Sequence, residues 1–123
     1  MGTKQTQLDI LPDISKKNLD IASLHEKDLV LQKTGRTFFA GEVKRLTIHK
    51  DRTCTIQWKV KYCIITMNNG MLTSLQKQQG TQNTEYTHVY SPESIFRNAR
   101  VVSKQEYKSA AILAALLLED QIL

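Results

Sequence analysis

Cysteine, proline and glycine are all scarce in this chain: its 123 residues include two cysteines, two prolines, five glycines and one tryptophan. Two cysteines exclude a disulfide-built scaffold and a cysteine-rich zinc module. Cys54 and Cys63 also fall at opposite parity on one predicted strand, so they are expected on opposite faces and not bonded to each other. The three histidines, His25, His49 and His88, are scattered, without a CxxC or HxxxH spacing. No metal and no cofactor is expected. Neither GxxxxGK[ST] nor GxGxxG occurs, so neither of the glycine-rich phosphate-cradling loops is present. No apolar run approaches the ~18 residues of a membrane-spanning helix. The polar start, Met1 to Gln7, lacks the apolar segment of a signal peptide. The expectation is one domain, cytoplasmic or assembled inside the cell, with no membrane partner.

Acidic residues are also rare where basic ones are dense. Between Lys33 and Lys61 stand Lys33, Arg36, Lys44, Arg45, Lys50, Arg52, Lys59 and Lys61, opposed only by Glu42 and Asp51. The whole chain carries +5, so the bias is concentrated in that one segment. Such a field favours a polyanion or an acidic protein surface as neighbour.

What is present most clearly is strand periodicity. From Cys54 to Ile64 the even positions are all apolar or aromatic and the odd ones polar until Cys63, the period of a half-buried β-strand. Asp28 to Gln32 reads as a first strand, with Leu29 and Leu31 facing in, and Thr34-Gly35 as a turn. A second strand runs from about Thr37 to His49. Its inward parity changes from Phe39, Gly41 and Val43 to Leu46 and Ile48, which predicts a β-bulge near Lys44-Arg45. Residues 67–84 form a Gln/Asn-rich connection; Asn69-Gly70 is a hairpin signal and Met71-Leu72 starts a returning strand. Glu85 to Tyr90 is a strand with Tyr86, His88 and Tyr90 on one face. Ser91-Pro92-Glu93-Ser94 opens a single helical turn through Ile95 and Phe96, and Arg100 to Val102 is a last short strand.

The two ends differ. Residues 1–27 are a polar arm with isolated apolar anchors, in which Asp13 or Ser15 caps a short helix reaching about Leu24. Residues 28–102 hold the strands. Residues 103–123 begin with a capping box, Ser103 and Glu106, opening a helix from Lys104 to about Glu119. Ala110 to Leu118 is unbroken apolar sequence, and a helix apolar on every side must be covered on more than one. The cover is either the N-terminal arm or another subunit; Ile112, Leu113, Leu116 and Leu117 are the candidate partner-contact residues.

Lys27 to Leu31, the Phe38-Phe39-Ala40-Gly41-Glu42-Val43 run, the Leu46–Ile64 hairpin and the closing Val89 to Phe96 together resemble an SH3-like or Tudor-like small barrel, including short proteins of phages and gut bacteria. The resemblance spans residues 27–102. It implies a mainly β fold, an SH3-like antiparallel barrel with an N-terminal arm and a C-terminal helix, and a non-catalytic role. It also implies a structural or interaction subunit of a phage or other multi-protein assembly, and so a virion component as one location. No three or four aromatic residues are evident as a ligand cage.

Catalysis is not expected. Cys63, His88 and Glu85 can be written as a nucleophile, base and orienter, but a chain of this size always permits such a trio. Binding is the better reading. Protein subunits, its own copies or others, are the expected partners. Nucleic acid is the alternative, held by Lys44, Arg45, Lys50, Arg52, Lys59 and Lys61 with Phe38 or Tyr86 stacking a base. The aromatics are not interleaved with the basic residues, which favours a solvated basic face over a nucleic-acid surface.

Overall fold

A computed structural model describes Ile14 and residues 17–34, 37–66, 72–74 and 84–122. In chain order the elements are β1 (Asn18–Asp20), a 3-10 turn (Ile21–Ser23), β2 (Leu29–Lys33), β3 (Thr37–Ile48), β4 (Cys54–Thr66), β5 (Leu72–Ser74), β6 (Thr84–Tyr90), β7 (Ile95–Arg97), β8 (Ala99–Val102) and α1 (Lys104–Ile122). The protein is mainly β, with two antiparallel sheets and a C-terminal helix. The large sheet runs β5-β4-β3-β2-β8, and β6 also pairs with β4. β4 is the hub. One edge pairs with β3 along its length; the other pairs with β6 from Cys54 to Val60 and with β5 from Ile64 to Thr66. The small sheet joins β1 to β7.

Two register shifts bend the β3–β4 ribbon. Val43 pairs with Trp58 and Arg45 with Gln57, leaving Lys44 as the extra residue, where the parity change in the sequence places it. A second shift pairs Ala40 with Tyr62 and Gly41 with Val60, leaving Lys61 extra on β4. The period-2 run from Cys54 to Ile64 predicts one inward face, and this second bulge breaks it. Cys54, Ile56, Trp58 and Val60 join one core cluster, whereas Tyr62 and Ile64 join the other. Adjacent residues divide the same way: Val30 from Leu31, and Phe39 from Phe38. The sheet is thus buried on both faces, and Val30, expected to point outward with Asp28, is fully buried.

The bulge also corrects the expected placement of the cysteines. Cys54 lies in the Trp58 cluster, and Cys63 packs against that same cluster. Both thiols are free. Distance along the strand keeps them apart, since nine residues at about 3.3 Å each separate them by far more than a disulfide spans.

The helix-side core is built from small residues. Ala110, Ala111 and Ala114 of α1 meet Leu31, Phe38, Ala40 and Ile64, with Tyr107 and Leu117 at the flanks and Ile14 of the arm in the same cluster. Alanine at the contact lets the helix backbone approach the sheet closely. The helix start is half of the expected box: the Glu106 backbone N–H donates to Ser103 Oγ at 3.1 Å. The Glu106 carboxylate does not turn back to the cap. It takes the Arg100 guanidinium instead.

The opposite core is aromatic. Trp58 is 1% exposed, stacked on Phe96 at 5.6 Å between centroids and met edge-on by Phe39 at 5.4 Å. Its indole N–H donates to the Tyr90 hydroxyl at 2.9 Å. Gly41 makes room for the Phe39 ring, because a Cβ at that position would sit 2.5 Å from it and the ring would have to shift.

Two short helices expected from the sequence are absent among the described residues. Residues 18–23 form β1 and the 3-10 turn, and Ile95 and Phe96 belong to β7. The reason is shared: Leu19 pairs with Phe96, and each supplies apolar surface over the Trp58 cluster. Ile21 and Leu24 are buried in that cluster as well. Residues 17–24 of the arm are therefore stitched into the fold, with the Lys17 carbonyl accepting from the Ala99 N–H and the Ser94 carbonyl from the Ile21 N–H. Asp13, Ser15, Gly35, Asn69 and Gly70 lie outside the described residues, as do residues 75–83 of the Gln/Asn-rich connection.

Candidate interaction surfaces

Three surfaces gather the residues that the sequence singles out. The first is the outer side of α1. Ile112 and Leu116, one helical turn apart, are 62% and 52% exposed. Leu113 is half-buried against the helix-side core and Leu117 is inside it at 3%. The four expected contact residues thus divide: Leu117 is committed to the protein's own core and has no surface to offer, whereas Ile112 and Leu116 face out. Beside Ile112 runs a groove of about 260 Å³ lined by Lys61, Tyr62, Lys108, Ala111, Ile112 and Ala115. Its floor is apolar, and the two lysines stand on it.

The second surface is the polar side of the β3–β4–β6 region. Lys44, Arg45, Lys50, Arg52 and Lys59 are exposed, and Lys61 is half-buried beside α1. The six cations therefore do not form one patch. An acid distant in sequence moves among them: Glu85, opposite Lys59 in the β4–β6 register, forms an ion pair with Lys44 and accepts from the Gln57 amide at 3.0 Å. The Lys44 hydrogen bond and charge hold the Glu85 carboxyl below its usual range, with smaller help from Gln57 and Lys59. Arg45, Lys50 and Arg52 carry no ion pair among the described residues. Of the two base-stacking candidates, Phe38 is fully buried and cannot stack on anything external, while Tyr86 is 50% exposed.

The third surface is an aromatic ladder, of which the sequence shows the Tyr86, His88 and Tyr90 face but not its junction with Trp58. Tyr86 stacks on His88, His88 meets Tyr90 at 4.5 Å, and Tyr90 meets Phe96, which stacks on Trp58. Period-2 spacing gave Tyr86, His88 and Tyr90 one face. Only the β4–β6 pairing and the β1–β7 sheet bring that face to Trp58, Phe39 and Phe96. Phe96 meets Phe39, Trp58 and Tyr90, so that end of the ladder is a packed core edge, whereas Tyr86 and His88 are exposed.

The structure does not assemble the Cys63–His88–Glu85 trio. Cys63 lies opposite Phe39, His88 opposite Ile56 and Glu85 beside Lys44. Seven residues of β4 separate Cys63 from Ile56, on the order of 20 Å. Burial pushes both thiols up, away from thiolate character. Burial, and then the Glu42 charge, also push the Tyr107 hydroxyl well above its usual value. Among the described residues no group of three His, Cys, Asp or Glu side chains is placed to hold a metal ion, and no helix is long and apolar enough to cross a membrane.

Compared with protein-family models, with curated proteins and with solved structures, the chain finds no match.

Proposed function

We propose that this chain is a non-enzymatic interaction module: an SH3-like small barrel whose C-terminal helix docks on another protein subunit and whose basic hairpin meets an acidic protein surface. A phage or other multi-protein assembly is the setting that the sequence resemblance implies. The observation that carries the reading is the exposure of Ile112 and Leu116 on a helix whose other face is buried through Ala110, Ala111, Ala114 and Leu117, beside a groove flanked by Lys61 and Lys108. Burying each of these two side chains is worth ~1.5–3 kcal/mol. Association costs an estimated ~4–15 kcal/mol, so two side chains do not hold a complex alone. The partner must also enter the groove and reach its lysines, which calls for apolar residues next to carboxylates.

Light scattering and pull-down on the wild type and on Ile112→Glu/Leu116→Glu test it. The expected result is an assembly or captured partner with the wild type and loss of it with the variant, whose exposed substitutions leave the fold intact. A wild type that is monomeric and captures nothing sinks the reading.

The alternative is nucleic-acid binding through the hairpin, and the unpaired Arg45, Lys50 and Arg52 favour it. Its signature is affinity that falls steeply with salt in an oligonucleotide titration. The Glu85 carboxylate among the cations weighs against it.

A further inference from the structure

At the far end of the β3–β4 hairpin from α1 lies a cavity of about 250 Å³ lined by Ile21, Leu46, Ile48, Cys54, Pro92 and Arg52, among others. It is walled by the 3-10 turn, the ends of β3 and β4 and the segment after β6. Apart from Arg52 and Ser91, every lining side chain is apolar or a thiol. Ile48 on its wall is 67% exposed, so an apolar surface stands open without cover among the described residues.

The residue at its edge is Arg52. His49 to Thr53 form a tight turn, closed by His49 N–H to the Thr53 carbonyl and Arg52 N–H to the His49 carbonyl, both at 2.9 Å. Asp51 pins the turn by accepting from the Thr53 N–H at 3.0 Å and from its hydroxyl at 2.6 Å. Arg52 sits in it at φ 70°, the left-handed conformation that glycine adopts freely and a side chain disfavours. The turn geometry accounts for that φ, since a three-residue hairpin ends on a left-handed residue; what it leaves unused is the guanidinium, whose side chain lines the cavity and has no ion pair among the described residues.

We propose that this cavity takes one bulky apolar side chain from an acidic protein segment, while the Arg52 guanidinium binds the carboxylate of a neighbouring residue of that segment. Size selects the occupant. Pockets for cofactors and drug-sized ligands span ~300–1,000 Å³, and this one falls below them, at the scale of a single anchor side chain. Charge selects its neighbour, because guanidinium pairs with carboxylate in a bidentate, charge-assisted geometry, and Lys50 adds positive field on the same turn. The inference rests on the hairpin half of the proposed function and is independent of the helix half.

The test is a backbone-amide NMR titration with three probes: acetyl-Glu-Phe-Asp-amide, acetyl-Lys-Phe-Lys-amide and acetyl-Glu-Ala-Asp-amide. The first shifts the amides of Ile21, Ile48, Arg52 and Cys54; each of the others binds about tenfold more weakly or less, having lost the charge-assisted bond or the anchor. Arg52→Gly keeps the turn, since glycine prefers its φ, and weakens the first probe by about the same factor. Ile112→Glu/Leu116→Glu binds it as the wild type does, so failure of the helix reading leaves this site standing. Equal binding of all three probes, shifts centred elsewhere, no shifts, or an unaffected Arg52→Gly overturns the proposal.

Discussion

On one face of the large sheet, α1 lays Ala110, Ala111 and Ala114 against Leu31, Phe38 and Ile64; on the other, Trp58 lies among Phe39, Tyr90 and Phe96. The helix side gains stability from close approach of backbones. The aromatic side gains it from a few large rings and one directed hydrogen bond. The faces also fail differently: small residues tolerate no added volume, and large rings tolerate no removal.

Four substitutions or conditions sharpen this contrast, from the largest effect down. Trp58→Ala removes the ring on which Phe39 and Phe96 pack and orphans the Tyr90 hydroxyl. The expected loss is ~3–5 kcal/mol in urea unfolding; a loss as small as that of a surface substitution would dissolve the contrast. Ala114→Leu pushes α1 off the sheet, since Ala114 is fully buried, and costs ~1–3 kcal/mol. If that variant is as stable as the wild type, the helix side has slack that its packing denies. Gly41→Ala sets a methyl against the Phe39 ring and costs less, toward the lower end of ~1–3 kcal/mol, with a change in near-ultraviolet dichroism as Trp58 and Phe39 shift.

The smallest effect is electrostatic and belongs to the helix side. The Arg100 hydrogen bond and charge hold the Glu106 carboxyl below its ordinary 4.5. A carboxyl lowered by folding adds stability above its unfolded value and loses it as pH falls through the folded one. The Glu106 contribution, read as the urea midpoint of the wild type minus that of Glu106→Gln, is therefore constant well above pH 4.5 and declines as the pH falls below about 4.5. Both side chains are about one-third exposed, so the difference is small and shrinks in salt.

Local pattern reached far into this fold. Strand periods located β2, β3, β4 and β6, the parity change located the Lys44 bulge, and Ser103 located the start of α1. Each of these signals lies within a few residues of the feature it specifies. The failures share the opposite property. Ile95 and Phe96 look like a helical turn after Ser91-Pro92, and residues before Leu24 look like a helix, until each segment finds the other as a strand partner. The basic run looks uncompensated until β6 brings Glu85 to Lys44. Leu117 looks as available as Leu116 until α1 docks and one rotates inward.

The alternation of apolar and polar residues settled by itself that this chain builds a sheet, because that period follows from the geometry of the extended backbone, and the cap at Ser103 ahead of an apolar run settled the terminal helix. Which apolar residues stay exposed, where the cavity opens under Arg52 and which cation is neutralised were settled only in three dimensions. These depend on contacts between segments tens of residues apart, and a bulge of one residue at Lys61 reverses the face of everything after it.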